Sequence, residues 1–178
     1  MTSAITPAVL AAITSGKDQF LRAYEREHEI TMRVLRAYPT DQLDLRPAPT
    51  CKTARELAWV FVAERGLGTM VFNDVFAKGG PSGGMPSAPE SWSEILAALE
   101  KAHRDFVDLV RNTPDEQMAA TVKFFVAPKK MGDVTRMEFA WFLLHDEIHH
   151  RGQFSVYLRM AGGIVPSIYG PTREEPWM

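Results

Sequence analysis

The stretch HDEIHHRGQ, residues 145–153, sets three histidines, two carboxylates and an arginine within nine positions. On a helix, side chains four apart lie one above the other, so His145 and His149 can address one object while His150 points about 100° away. Two imidazoles converging at that spacing suit a divalent metal ion. The stripe Phe142, His145, His149, Gly152 and Val156 is apolar at its ends, and taking it as the inward face puts both imidazoles in the core. Two neutral histidines buried there each need a partner for a ring nitrogen, and one ion serves both. Gly152 costs about 1 kcal/mol relative to alanine inside a helix and leaves room for close helix packing or a substrate cavity. The competing reading is a core histidine satisfied by a carboxylate or a carbonyl, which the spacing alone does not exclude. A zinc-protease helix, His-Glu-x-x-His, is disfavoured: Asp146 follows the first histidine, and Glu147 lies one step further round.

The elements that must position these residues are helices. Thr53 precedes Glu56 by three, Ser91 precedes Glu94 and Thr135 precedes Glu138, three capping boxes in which hydroxyl and carboxylate satisfy amides that a first turn leaves orphaned. They predict helices over about 53–76, 91–111 and 136–160. A fourth, upstream, carries Phe20, Leu21, Tyr24, His28, Met32 and Leu35 on one side and ends before Pro39. The second helix has the stripe Leu57, Val60, Phe61, Glu64, Leu67 and Val71. The glycine- and proline-rich segment 78–90 reads as a linker, AGGIVP ends the last helix, and VKFFVAP at 122–128 is the one extended-looking stretch. The expectation is an all-α four-helix bundle filling one domain, residues 1–178.

Hydrophobic residues make up 46% and charged residues 24%, the balance of a globular chain with one core. A formal net charge of -2 without a basic stripe argues against nucleic acid as a partner. Apolar runs such as FAWFLL are too short to span a bilayer, so no membrane partner is expected. The single cysteine, Cys51, allows no intrachain disulfide, and no basic residue precedes Lys17, as a secretory signal would require. A cytoplasmic protein is expected.

The segments HDEIHHRGQFSVYLRMAGGIVPSIYGP, ELAWVFVAERG and QLDLRPAP together resemble the DinB/YfiT-like family of metal-dependent bundles, in which an inward His-x-x-x-His precedes Arg-Gly-Gln. The resemblance implies an up-down-down-up helix order and a divalent metal, nickel, zinc or iron, held by three histidines. Two of these match His145 and His149. The third, on the second helix, falls at Val60, which has no lone pair; Glu64, four residues on, is the substitute that helix offers. Val60, Gly152, His150, Arg151 and Gln153 are then expected around the cavity, the last three with structural roles first. His28 and His103 read as core or boundary histidines and Cys51 as a partly buried thiol. The activity implied is a thiol-dependent S-transferase acting on a small molecule with a low-molecular-weight thiol. A metal-dependent hydrolase is the nearest variant, and the alternative is a non-enzymatic small-molecule binder that lost its metal with the third histidine. Homodimerisation is implied as well, with Trp92 and Trp177 as candidate exposed aromatics.

Overall fold

Ser15 opens the first helix, accepting the Asp18 amide at 3.1 Å, and α1 runs Gly16–Arg36 in a computed structural model that describes residues 15–84 and 86–178. Helix α2 covers Ala54–Phe72 and starts at a complete capping box, the Thr53 hydroxyl accepting from the Glu56 amide and the Glu56 carboxylate from the Thr53 amide. A 3₁₀ turn at Phe76–Lys78 follows. Helix α3, Trp92–Asn112, has a simpler start in which Ser91 accepts from Glu94. After the short α4, Asp115–Ala119, the long α5 covers Arg136–Met160 behind a second complete box, Thr135 with Glu138. Its end is closed by Gly162 at φ +79° and by the Gly163 amide donating to the Leu158 carbonyl.

One element corrects the all-α expectation. VKFFVAP is the first strand of an antiparallel hairpin, β1 Thr121–Ala127 with β2 Lys130–Thr135, in the register Thr121↔Thr135 and Phe125↔Met131. The second strand, KMGDVT, carries a glycine and two charges and half faces water, so nothing in its composition announces a strand. The fold is mostly helical with this small sheet appended.

Helix α2 packs against α3 and α5, and α1 against the same two from the other side. The core divides into two apolar clusters. One gathers Leu35, Leu57, Phe61, Ile95, Leu99, Phe154 and Leu158; the other Phe20, Tyr24, Phe72, Phe106, Phe139 and Leu143. On every long helix the stretch between its two apolar contributions carries buried polar groups: Glu27, His28 and Thr31 on α1, Glu64 and Arg65 on α2, His103 on α3, Glu147 and Arg151 on α5. The bundle therefore has a polar middle layer. Trp92, expected at an exposed surface, is buried and stacks on Phe154 with centroids 6.1 Å apart, whereas Trp177 is exposed. Among the described residues, no helix is long and apolar enough to cross a membrane.

Gly68 is where α2 approaches both neighbours. A Cβ there would lie 2.6 Å from a Phe106 ring carbon and 2.8 Å from a Leu143 methyl. Gly68→Ala gains about 1 kcal/mol of helix propensity, but overpacking costs roughly 1–3 kcal/mol. A lower Tm by differential scanning fluorimetry is expected; a raised one would mean that both neighbours yield without strain.

Candidate metal centre and adjoining groove

The α5 residues that face the core are Phe139, Leu143, Leu144, Glu147, Arg151, Phe154 and Leu158. The stripe expected to point inward is the solvent face instead: His145 and His149 are exposed, between Phe142 at 46% and Val156 at 51% exposure. His149 Nε2 meets the Gln153 amide at 2.8 Å on that surface, and a Cβ on Gly152 would touch nothing, because its open side is solvent rather than a cavity. The inward expectation for His145, His149 and Gly152 is thus corrected by about one residue of helical phase. Its physical cause is that Glu147 and Arg151, which look like surface charges, are buried against partners on other helices.

What the helices bring together is Glu64 from α2 with Asp146 and His150 from α5. One ligand atom of each lies within 4.8 Å of the other two. His150 Nδ1 sits 2.6 Å from Glu64 Oε1 and 3.8 Å from Asp146 Oδ1. The closer contact is an ion pair by distance without hydrogen-bond alignment, so both Glu64 oxygens and His150 Nδ1 are buried polar atoms that lack a hydrogen-bond partner. Burial pushes the Glu64 carboxyl above its usual range, and the Glu64 carboxylate raises the His150 imidazole. A buried carboxylate that is paired by charge with His150 and Arg65 but has neither oxygen in an aligned hydrogen bond, and that faces a second carboxylate, offers coordination that a divalent ion would fill. The residues fit a metal. Val60 lies one turn before Glu64, partly buried against the apolar cluster, and is not one of the three. The pair four apart that faces α2 is Asp146 and His150, and it is His150 that directly precedes Arg151, Gly152 and Gln153. That adjacency was the readable signal; His-x-x-x-His one residue earlier obscured it.

The family model of the DinB family matches residues 12–177. The chain belongs to the DinB family. It is 28% identical over 159 residues to the protein YrdA of Bacillus subtilis strain 168, covering 89% of this chain and 90% of that one. Among solved structures it is similar to a DinB-like protein of Bacillus cereus ATCC 10987, with a TM-score of 0.70 and 24% identity over 84% of this chain and 95% of the other. It is also similar to YfiT of Bacillus subtilis, described as "a probable metal-dependent hydrolase with an unusual four-helix bundle topology", with a TM-score of 0.57 and 14% identity over 91% and 93% of the two chains. At these identities the structural likenesses establish the fold.

In this DinB chain the buried charges of the middle layer hold the centre's two helices in place. Glu147, fully buried, takes Arg65 Nη2 at 2.8 Å and the Thr31 hydroxyl at 2.7 Å, while Arg65 Nη1 donates to the Phe61 carbonyl. Arg151 pairs with Glu27 at 2.8 Å and also donates to the Glu27 carbonyl. Tyr169, from the segment after α5, donates to Glu27 and accepts from Arg151. Burial acts to raise the Glu27 carboxyl, but the bonds from Tyr169 and Arg151 outweigh it and hold it below its usual value. Beside His150 opens a groove of about 380 Å³ whose walls include Cys51, Lys52, Gln153, Val156 and Tyr157. His150 thus belongs to both the carboxylate cluster and the groove.

On the opposite side of the layer, the rings of His28 and His103 stack in parallel, 3.6 Å apart at 6°. Both are buried, and each keeps an Nδ1 without a partner. Burial, followed by the Arg65 charge for His28 and by His28 itself for His103, lowers their pKa values to about 3 and about 2. A folded pKa below the unfolded value gives stability that is fully present above about pH 6.5 and lost as pH falls toward 3. At pH 5 the loss should reach about 2 kcal/mol per histidine. Urea unfolding at pH 7.5 and pH 5 checks this, with His103→Phe expected to flatten the dependence; an identical slope in the variant would remove the pair as its source.

Proposed function

We propose that this DinB chain is a metal-dependent enzyme acting on a small molecule held in the groove beside His150, with Glu64, Asp146 and His150 as the metal ligands. The observation that carries this reading is the buried Glu64 carboxylate, neither of its oxygens hydrogen-bonded, with one ligand atom each of His150 and Asp146 within 4.8 Å. When bound, a divalent ion supplies Lewis acidity that polarises a substrate carbonyl and lowers the pKa of a small nucleophile. The chain's own residues do the rest. Lys52 offers a cation to an anionic substrate group, Gln153 an amide, and Val156 and Leu57 apolar walls. The Arg65–Glu147 and Arg151–Glu27 pairs fix the rotation of α2 and α5, on which the ligand spacing depends.

Hydrolysis is the reaction that two carboxylate ligands favour, because an oxygen-rich set suits ions that hold water more readily than thiolate. Transfer to a low-molecular-weight thiol is the second reading, favoured by the family resemblance. Elemental analysis of the purified protein, followed by a panel of small esters, amides and electrophiles with and without thiol, tests both. About one equivalent of a divalent metal with thiol-independent turnover supports the hydrolase, and strict thiol dependence supports the transferase. No bound metal, and none taken up on titration, would leave the non-enzymatic binder standing.

An up-down-down-up helix order is proposed with this function. Contacts such as Phe20 with Trp141 and Thr31 with Glu147 support α1 running alongside α5, and Glu64 with His150 followed by Gly68 beside Leu143 supports α2 running against it. A cytoplasmic homodimer is also proposed; light scattering coupled to gel filtration tests the dimer, and a monomer mass at micromolar concentration removes it.

A further inference from the structure

We propose that the Glu64–Asp146–His150 centre is shifted, relative to a set of three imidazoles, toward oxygen-preferring divalent ions of the manganese(II) or iron(II) class and away from nickel and zinc. The inference rests on the metal reading above and specifies it. A set of three imidazoles, the arrangement the family resemblance implies, is made of borderline donors that favour nickel and zinc strongly; carboxylates shift a site toward harder ions. Here one imidazole remains, and the other two donors are carboxylates placed on separate helices.

Electrostatics gives the same answer independently. Glu64 is nine-tenths buried, and one of its oxygens lies 3.8 Å from the Arg65 guanidinium, itself almost fully buried. Three neutral imidazoles would leave a dication's whole charge at a half-buried position beside that guanidinium, where uncompensated charge is costly. Two carboxylates bring the formal charge of ion and ligands to zero. They also neutralise the ion without help from Glu147, which is already committed to Arg65 and Thr31. The oxygen-rich set is therefore the better balanced of the two beside the buried Arg65.

Any nitrogen and oxygen site binds nickel more tightly than manganese, so the informative quantity is the affinity ratio between the two ions and its response to donor exchange. Isothermal titration calorimetry with manganese and nickel chlorides, on metal-free full-length protein, should show both ions binding the wild type. Glu64→His and the double variant with Asp146→His should raise the nickel-to-manganese ratio by roughly ten-fold or more. Circular dichroism of the metal-free variants checks that they fold. Should they fail to, Glu64→Gln, which keeps the side-chain shape, should cost manganese more affinity than nickel, since nickel draws more of its affinity from the imidazole that both ions keep. A ratio that stays constant across these variants while both ions bind overturns the proposal and leaves the metal centre standing. If the wild type binds neither ion, the metal centre itself falls and the proposal with it.

Discussion

Replacing Arg65 by methionine is expected to destabilise the protein by about 3–5 kcal/mol, the cost of stranding one member of a buried ion pair. Glu147 is wholly enclosed, and after the substitution the Thr31 hydroxyl would be its one remaining close polar contact among those that now satisfy it. Against a total stability of roughly 5–15 kcal/mol for a domain of this kind, that loss is large. It should not be read as the worth of the pair. Exchanging both partners, Arg65→Met with Glu147→Gln, keeps the Thr31 hydrogen bond and removes both charges, leaving only the smaller cost, about 1–3 kcal/mol, of an unpaired buried amide. The double variant should therefore recover more than half of the single variant's loss in urea unfolding at pH 7.5. If the two substitutions simply add, the cost lies in Arg65's packing against the Tyr24 ring and its bond to the Phe61 carbonyl, and Glu147 is not the group being compensated.

That same layer of charge separates what could be read in the sequence from what could not. The four long helices lie close to where periodicity and capping residues put them, because local rules govern them: Thr53 with Glu56 and Thr135 with Glu138 close their boxes within three residues. The orientation of the last helix is not a local property. Phe142 and Val156 are as apolar as Leu143 and Leu158, so hydrophobicity alone leaves the rotation open. It is decided by Arg65, Glu27 and Thr31 on other helices, which make it favourable to bury Glu147 and Arg151. A rule that charged residues face water then selects the wrong face, and a pair of histidines at a ligand spacing reinforces the error. Glu64 was legible as an inward polar residue on the α2 stripe; Asp146 was not, since it looked like one more acid beside a histidine. The hairpin was half legible for a related reason: Phe124 packs on Phe139 and Phe142, giving β1 an apolar signal, whereas β2 is held by backbone pairing that leaves little trace in side-chain type.

Alanine substitution along HDEIHHRGQ should expose that rotation directly in metal affinity. His150→Ala removes the one imidazole of the centre and is expected to weaken manganese binding by more than about 100-fold, beyond the range produced by losing an outer supporting partner. His145→Ala and His149→Ala should each change affinity less than about three-fold, because a surface imidazole away from the ion acts only through screened charge. This ordering reverses the one that the His-x-x-x-His spacing alone would give. Asp146→Ala should fall between the extremes: its carboxylate is more exposed than that of Glu64 and lies further from His150, at 3.8 Å against 2.6 Å, so water can replace part of its coordination. Glu64→Ala should approach the His150→Ala loss, since water entering that buried position would face the Arg65 guanidinium without an anion to offset it. Calorimetric titration of the five variants under one buffer decides the matter. A loss at His149→Ala equal to that at His150→Ala would mean that α5 turns by a residue when the ion binds, and the centre would then have to be assigned to the other face of the helix.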